Sequence, residues 1–308
     1  MDTSAPVRAV VGPTAAGKSD LAIAVAGELG LAGSPVEVVN ADSMQLYRGM
    51  DIGTAKLTVD ERRGVRHHLL DVLDVRDPAT VAEFQDWARD AVAACHGRGV
   101  LPLLVGGSAL YVRAVLDDFE FPGTDPSLRA RLESDLVEVG PEAMHVRLAG
   151  EDPAAAEAIL PSNGRRIVRA LEVVALTGRP YAAGLPELRY VYDDVAVVGV
   201  DVPREVLDAR IEARVDAMFD AGLVEEVERL AAQGLAEGRT ASRALGYAQV
   251  LDAIAGRTTM EQARDETVRR TRKFARRQDS WFRKDPRITW VSHDDPDLVH
   301  RAVALLAP

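Results

Sequence analysis

An α/β fold, a parallel sheet with crossover helices interrupted by a helical insertion, is what the sequence predicts, on three observations. Short β-branched or apolar runs ending in turn residues recur at Val7–Gly12, Val36–Asn40 and Leu101–Val105, the last closed by Gly106 and Gly107. Helical patterns lie between them, roughly Gly17–Leu29 and Val81–Cys95, the second with Phe84, Trp87, Ala91 and Ala94 on one face. Strands alternating with helices point to parallel pairing. Second, the pattern changes near residue 119. Phe119–Pro126 is rich in Pro, Gly and Asp. Leu128–Gly178 is charged and helical, broken at Gly140-Pro141, Asp152-Pro153 and Pro161, with no buried strand. Third, an apolar β pattern returns at Val195–Val200, and long amphipathic helices run from about Pro203 to Lys284. The expectation is a core of residues 1–118 and 193–308 carrying a helical insertion over 119–192.

Composition narrows the class. A chain of 308 residues suggests about two domains. There is no run of about 18 apolar residues, so no transmembrane helix is expected. No basic segment followed by a long apolar stretch opens the chain, so a secretory signal is not expected. The lone cysteine, Cys95, excludes an intrachain disulfide and a cysteine-based metal site. In its Ala-rich helix it reads as a small buried apolar residue. All of this predicts a cytoplasmic protein. The net charge of −11 by itself argues against a nucleic-acid partner. Locally the balance reverses: Arg264 to Arg287 holds ten Lys/Arg against four Asp/Glu, the stripe to look for in an RNA binder.

Gly12-Pro13-Thr14-Ala15-Ala16-Gly17-Lys18-Ser19 matches G-x-x-x-x-G-K-[ST] between a predicted strand and a predicted helix. The glycines let backbone N–H groups turn toward phosphate oxygens, and the helix N-terminus adds partial positive charge. Lys18 brings a full charge, and the Ser19 hydroxyl can ligate Mg²⁺. The core is therefore expected to be P-loop NTPase-like. The loop specifies a polyphosphate and nothing finer; alone, it would suggest a kinase or NTPase.

Asp42 follows the second strand, at the sheet edge where ligands bind in such folds. From position it could hold a Mg²⁺-bound water, act as a general base, or cap a turn. The segment continues Asp42-Ser43-Met44-Gln45-Leu46-Tyr47-Arg48-Gly49-Met50-Asp51-Ile52-Gly53-Thr54-Ala55-Lys56. With the phosphate loop, this resembles the tRNA dimethylallyltransferase (tRNA isopentenyltransferase) family. Further blocks follow in the family's order: His67-His68-Leu69-Leu70-Asp71, Gly106-Gly107-Ser108-Ala109-Leu110-Tyr111, Arg165-Arg166-Ile167-Val168-Arg169-Ala170-Leu171-Glu172, Ser242-Arg243-Ala244-Leu245-Gly246-Tyr247, and Thr271 through Phe282. The matches run from Gly12 to Phe282. Two positions depart: Ser108 stands where Thr is usual, and Arg276 where Lys is usual.

The resemblance implies attack of adenine N6 on C1 of dimethylallyl diphosphate, with the acceptor base expected at position 37 of the tRNA anticodon stem-loop. It implies Asp42 as the base that takes the N6 proton. It implies Thr14, Lys18, Ser19 with Mg²⁺, Arg243 and the loop N–H groups of Gly12–Ser19 as holders of the leaving diphosphate. Contacts to tRNA are implied for Asp42, Ser43, Met44, Gln45, Ser108, Arg129, Arg165, Arg166, Ile167, Val168 and Arg169. The protein is expected to act as a monomer. Rival readings are an adenylate isopentenyltransferase using free AMP, ADP or ATP, a P-loop small-molecule kinase, and an RNA-binding protein with an inactive loop. The helical insertion and the basic helix favour tRNA as acceptor.

On that helix Phe274 and Trp281 share a face expected to pack into the core, while Arg272, Arg276 and Arg283 are expected to meet tRNA phosphates. The adjacent His67 and His68 cannot share one face of a strand, and no further ligands at suitable spacing suggest a metal site. Met44 and Met50 read as packing.

Overall fold

The protein was analysed as a computed structural model, which describes residues 3–119, 121–181 and 187–308. Glu120 and residues 182–186, inside the expected insertion, lie outside the described residues.

The order along the chain is β1 (Val7–Val11), α1 (Lys18–Leu31), β2 (Val36–Asn40), β3 (His67–His68), α2 (Val81–His96), β4 (Leu101–Gly106), α3 (Ala109–Leu116), α4 (Pro126–Glu151), α5 (Pro153–Ala158), α6 (Gly164–Thr177), β5 (Val195–Asp201), α7 (Arg204–Asp220), α8 (Leu223–Ala231), α9 (Tyr247–Ile254), α10 (Met260–Phe282), β6 (Ile288–Ser292) and α11 (Leu298–Leu306). Two 3₁₀ turns, Leu235–Glu237 and Ala241–Arg243, lead into α9. The six strands form one parallel sheet in the order β3-β2-β4-β1-β5-β6. Strand β1 is buried on both faces, which is why it reads as an unbroken apolar run rather than an alternating one. Val7, Ala9 and Val11 face the side packed by α2 and α3, whereas Val10 faces α1 and α11. The connection from β1 leads to β2 on one side, and β5 joins β1 on the other. The crevice at the carboxyl ends of β1 and β4 is thus a switch point, the usual ligand position in open α/β sheets.

Local chemistry sets the helix ends. Thr80 accepts the Glu83 N–H at the start of α2, and Thr259 and Gln262 form a reciprocal capping box on α10. The predicted face of α2 needs correction. Its buried stripe is Phe84, Ala88, Ala91, Val92 and Cys95, while Ala94 is exposed. The helix is rotated so that the spacing 84, 88, 91, 95 meets the sheet. Strands β3 and β6 were not foreseen. The first is two residues long, and the second buries Ile288 on one face of the sheet and Val291 on the other, so no alternation marks it.

Compact units divide the chain at 117/118 and 189/190: residues 1–117 with 190–308, and residues 118–189. In the smaller unit α4 opens on the Asp125 cap with Pro126 in its first turn and bends where Gly140 adopts φ 81° just before Pro141. Asp152 caps α5 and, through its other oxygen, accepts the Tyr181 N–H. The core of this unit is Leu132, Met144, Leu148, Ile159, Ile167, Val168 and Leu171. Leu171 is 1% exposed. Leu171→Ala is expected to cost about 2–5 kcal/mol. Hydrogen exchange should show it as faster exchange in α4 and α6 with β1 unchanged.

Candidate active site

The segment from Gly12 to Ser19 joins β1 to α1 in a tight turn. Gly17 takes φ 91° and Ala15 takes φ 64°, left-handed positions of the kind that form anion-binding backbone concavities. At Gly17 only glycine adopts this freely. Lys18 bends back so that Nζ donates to the Pro13 carbonyl at 2.7 Å. Burial lowers its pKa to about 8, with Asp42 opposing the shift and the Arg214 charge reinforcing it.

Asp42 is held by a turn just beyond β2. The Asn40 amide accepts the Asp42 N–H at 3.0 Å through Oδ1. Through Nδ2 it donates to the carbonyls of Asp42 and Leu69, both at 3.0 Å. Asp42 Oδ1 accepts the Met44 N–H at 2.9 Å. The other oxygen, Oδ2, has no hydrogen-bond partner among the described residues. Asp42 therefore fills the turn-capping role and still presents a free acceptor; the two roles do not compete.

Two cavities meet at this carboxylate. The first, of about 450 Å³, is lined by the phosphate loop with Lys18 and Ser19, by Lys56 and His67, and by Arg210 and Arg214 of α7. The second, of about 350 Å³, is lined by Ser43, Met44, Ser108, Arg243 and Arg277. Thr14, Asp42, Thr54, Arg214, Phe274 and Gln278 line both. The first cavity gathers the cations Lys18, Lys56, Arg210 and Arg214 with the carboxylates Asp20 and Glu61, the second gathers Arg243 and Arg277, and Asp42 lies at their junction.

Several expected residues stand elsewhere than the sequence placed them. Arg243 lines the second cavity and not the one holding Lys18 and Ser19. Arg214 occupies the position beside Thr14, with its guanidinium 3.5 Å from Thr14 Oγ1. Sequence reasoning missed Arg214. The only hint was Arg210 and Arg214 one helical turn apart on α7, directly after β5. In the smaller unit, Ile167 and Val168 are core side chains, 0% and 1% exposed, so neither can present its side chain to RNA. Arg129 and Arg169 both bind the fully buried Glu172, and Arg169 also donates to the carbonyls of Pro122 and Gly123. Their charges are spent inside the unit. Arg165 is exposed and has no such partner among the described residues.

The faces of α10 are also revised. Its buried residues are Ala263, Thr267, Val268, Ala275, Gln278 and Phe282. Trp281 is 48% exposed, and Phe274 walls the cavities instead of joining the core. Arg272 pairs with Glu212 at 2.6 Å. Arg283 pairs with Asp201 and Asp279 and lies 3.8 Å over the Trp290 ring. Of the three cations expected to meet phosphates, Arg276 alone has no ion-pair partner among the described residues.

The segment bearing Thr54 is pinned from two sides. Lys56, its side chain 3% exposed, binds Asp51 at 2.7 Å, Asp71 at 2.6 Å and the Tyr47 carbonyl at 2.9 Å. Glu226 of α8 accepts the N–H groups of Asp51 and Ile52 at 3.1 and 2.9 Å and the Tyr247 hydroxyl at 2.5 Å. Glu226→Ala is expected to destabilise the protein by about 1–3 kcal/mol for each buried donor left unpaired. Glu226→Gln, which keeps an acceptor, should recover part of that loss; denaturant midpoints measure both.

His68 and Cys95 answer the metal question differently from their spacing. His68 Nε2 lies 2.6 Å from Glu37 and 3.7 Å from Cys95 Sγ, a three-ligand group drawn together by the β2–β3–α2 packing. Arg98 also binds Glu37, at 2.5 Å, and burial pushes the Cys95 thiol up to about 11. The cluster is a charge-balanced hydrogen-bond network. Cys95 is buried as expected, but among polar groups.

Residues 45–285 match the model of the IPP transferase family. The chain belongs to that family. A tRNA dimethylallyltransferase of Nocardioides is 62% identical over 302 residues, 98% of this chain and 96% of the relative. One of Streptomyces coelicolor is 64% identical over 303 residues, covering 97% and 95%. Among solved structures, the tRNA isopentenylpyrophosphate transferase of Bacillus halodurans superimposes with a TM-score of 0.72 at 38% identity, over 98% of this chain and 95% of that one.

Proposed function

We propose that this chain transfers a dimethylallyl group from dimethylallyl diphosphate to N6 of an anticodon-loop adenine of tRNA, releasing diphosphate. The observation that carries the reading is the free Oδ2 of Asp42 at the junction of the cavity that holds Lys18 and Ser19 and the one that holds Arg243 and Arg277. The diphosphate lies on the loop N–H groups, Lys18 and Arg214. The adenine enters through the second cavity past Ser43, Met44, Ser108 and Arg243. A base must leave its stack to reach such a site.

Adenine N6 is a weak nucleophile, because its lone pair is delocalised into the ring. As N6–C1 forms, Asp42 takes the N6 proton and the C1–O bond breaks, its electron pair leaving with the diphosphate. General-base assistance is worth about 10²–10⁴-fold. Lys18 and Arg214 are already in place around the departing anion, so little reorganisation is needed as charge develops.

A magnesium ion fits this site. The Ser19 hydroxyl faces the first cavity, makes no hydrogen bond within the described protein, and is a hard oxygen donor of the kind Mg²⁺ prefers. Ser19 would hold it together with diphosphate oxygens. The ion would neutralise charge on the leaving group. Arg165 and Arg166 on the inserted unit, with Arg276 and Arg277 of α10, would meet tRNA phosphates, and binding should weaken as salt rises. The reading requires one chain only, and we propose that the enzyme acts as a monomer. No helix among the described residues is long and apolar enough to cross a membrane, and a tRNA substrate would place the enzyme in the cytoplasm.

The test mixes protein, Mg²⁺, unmodified tRNA and radiolabelled dimethylallyl diphosphate, with AMP and ATP as acceptors in parallel tubes. Label in tRNA is expected. Label in AMP alone would make the chain an adenylate isopentenyltransferase; ATP consumption without transfer would return it to the kinases.

A further inference from the structure

Gln278 is a neutral residue on a strongly charged helix, and it is 7% exposed. Its Oε1 accepts the Thr14 N–H at 2.9 Å across 264 residues of chain. A backbone N–H can only donate, so the amide oxygen must face Thr14 and the amide nitrogen must point the other way. That nitrogen has no acceptor among the described residues, and it is not sealed within the protein, since Gln278 lines both cavities. Nε2 lies against Gly107 at the end of β4. A Cβ on Gly107 would come within 2.6 Å of Nε2 and 3.3 Å of the Gly12 carbonyl, so only glycine leaves room for the amide here.

Open to the cavities, this donor is solvated in the free protein, and a substrate that excludes water from it must supply an acceptor in its place. The position says which ligand atom. The phosphate loop holds the diphosphate on one side, and the acceptor arrives from the other. The bond that breaks lies between them, beside Thr14 and Asp42. We propose that Gln278 is a further catalytic residue, whose Nε2 donates a hydrogen bond to the ester oxygen of the allylic diphosphate as the C1–O bond breaks. This rests on the prenyl-transfer reading above. Gln278 spends its oxygen on the Thr14 N–H and directs its N–H groups at the atom where negative charge appears. A preorganised donor aimed at developing charge acts mainly in the transition state.

The test is Gln278→Met, close in shape and without donor or acceptor. Turnover at saturating substrates is expected to fall about 10²-fold. Affinities for dimethylallyl diphosphate and tRNA should stay within about threefold of wild type. Turnover within about threefold of wild type would overturn the proposal. In that case weaker diphosphate binding would mean that Gln278 merely caps the loop. A rise confined to the tRNA KM, with turnover retained, would move Nε2 to the adenine and equally overturn it. Should Gln278→Met lower the thermal midpoint, Gln278→Glu carries the test, because it keeps the acceptor for Thr14. Its turnover must be depressed at neutral pH and recover relative to wild type as the carboxyl gains a proton that it can donate; a variant as active as wild type at every pH would again overturn the donor role. Wild-type protein that fails to label tRNA would sink the prenyl-transfer reading itself, whereas active wild type with active variants sinks only the role of Gln278.

Discussion

Asp42→Asn should lower the turnover of tRNA prenylation by about 10²–10⁴-fold, with the affinity for both substrates nearly unchanged. The substitution is conservative where the structure needs it to be. An Asn Oδ1 still accepts the Met44 N–H, and Asn40 still clamps the turn through the main chain of residue 42. What disappears is the second carboxylate oxygen at the cavity junction, the group proposed to take the adenine proton. Single-turnover label transfer, with tRNA and diphosphate binding measured separately, isolates that step. An Asp42→Asn enzyme with near wild-type turnover would leave Asp42 as a turn cap only.

Removing the charge at Lys18 should be of similar size. Lys18→Ala is expected to cost about 10²–10³-fold in turnover, the scale of losing one preorganised group at a developing anion. It also predicts a pH dependence in the intact enzyme. With its pKa lowered to about 8 by burial, Lys18 is charged below that pH and neutral above it. An anion binds the charged form, so affinity for dimethylallyl diphosphate should be level below about pH 7. It should fall by up to about tenfold per pH unit above about pH 8, until the pKa of the complex, raised by the bound anion, is reached. Titration calorimetry across this range should show the fall in wild type and not in Lys18→Ala. An unchanged slope in the variant would assign the proton to another group.

Much of the fold was legible because it is written in short stretches of chain. The buried strands β1, β2 and β4 are apolar runs of five or six residues closed by glycine or by Asn40, and each fell within a residue of its expected bounds. Strand β3 escaped because two residues carry no periodicity, and β6 because its buried residues, Ile288 and Val291, face opposite sides of the sheet and show no alternation. In α2 and α10 the helical span was right and the rotation wrong. A helix with apolar residues around much of its circumference does not say which side meets the sheet. Phe274 and Trp281 formed a plausible core face, yet Ala275, Gln278 and Phe282 took it.

The sequence by itself determined the phosphate loop, the Asp42 turn and, through motifs in order from Gly12 to Phe282, the family. These depend on backbone conformation and on residues adjacent in the chain, so local order suffices to specify them. Tertiary structure alone decided which distant side chains complete the site. Arg214 comes to Thr14 from 200 positions away and Gln278 from 264. It also decided which cations find distant partners: Arg129 pairs with Glu172 across 43 residues, Arg272 with Glu212 across 60 and Arg283 with Asp201 across 82. Helical spacing can announce a neighbour three or four residues away, but a distant carboxylate is supplied only by packing, and the strength of such a pair depends on separation and burial.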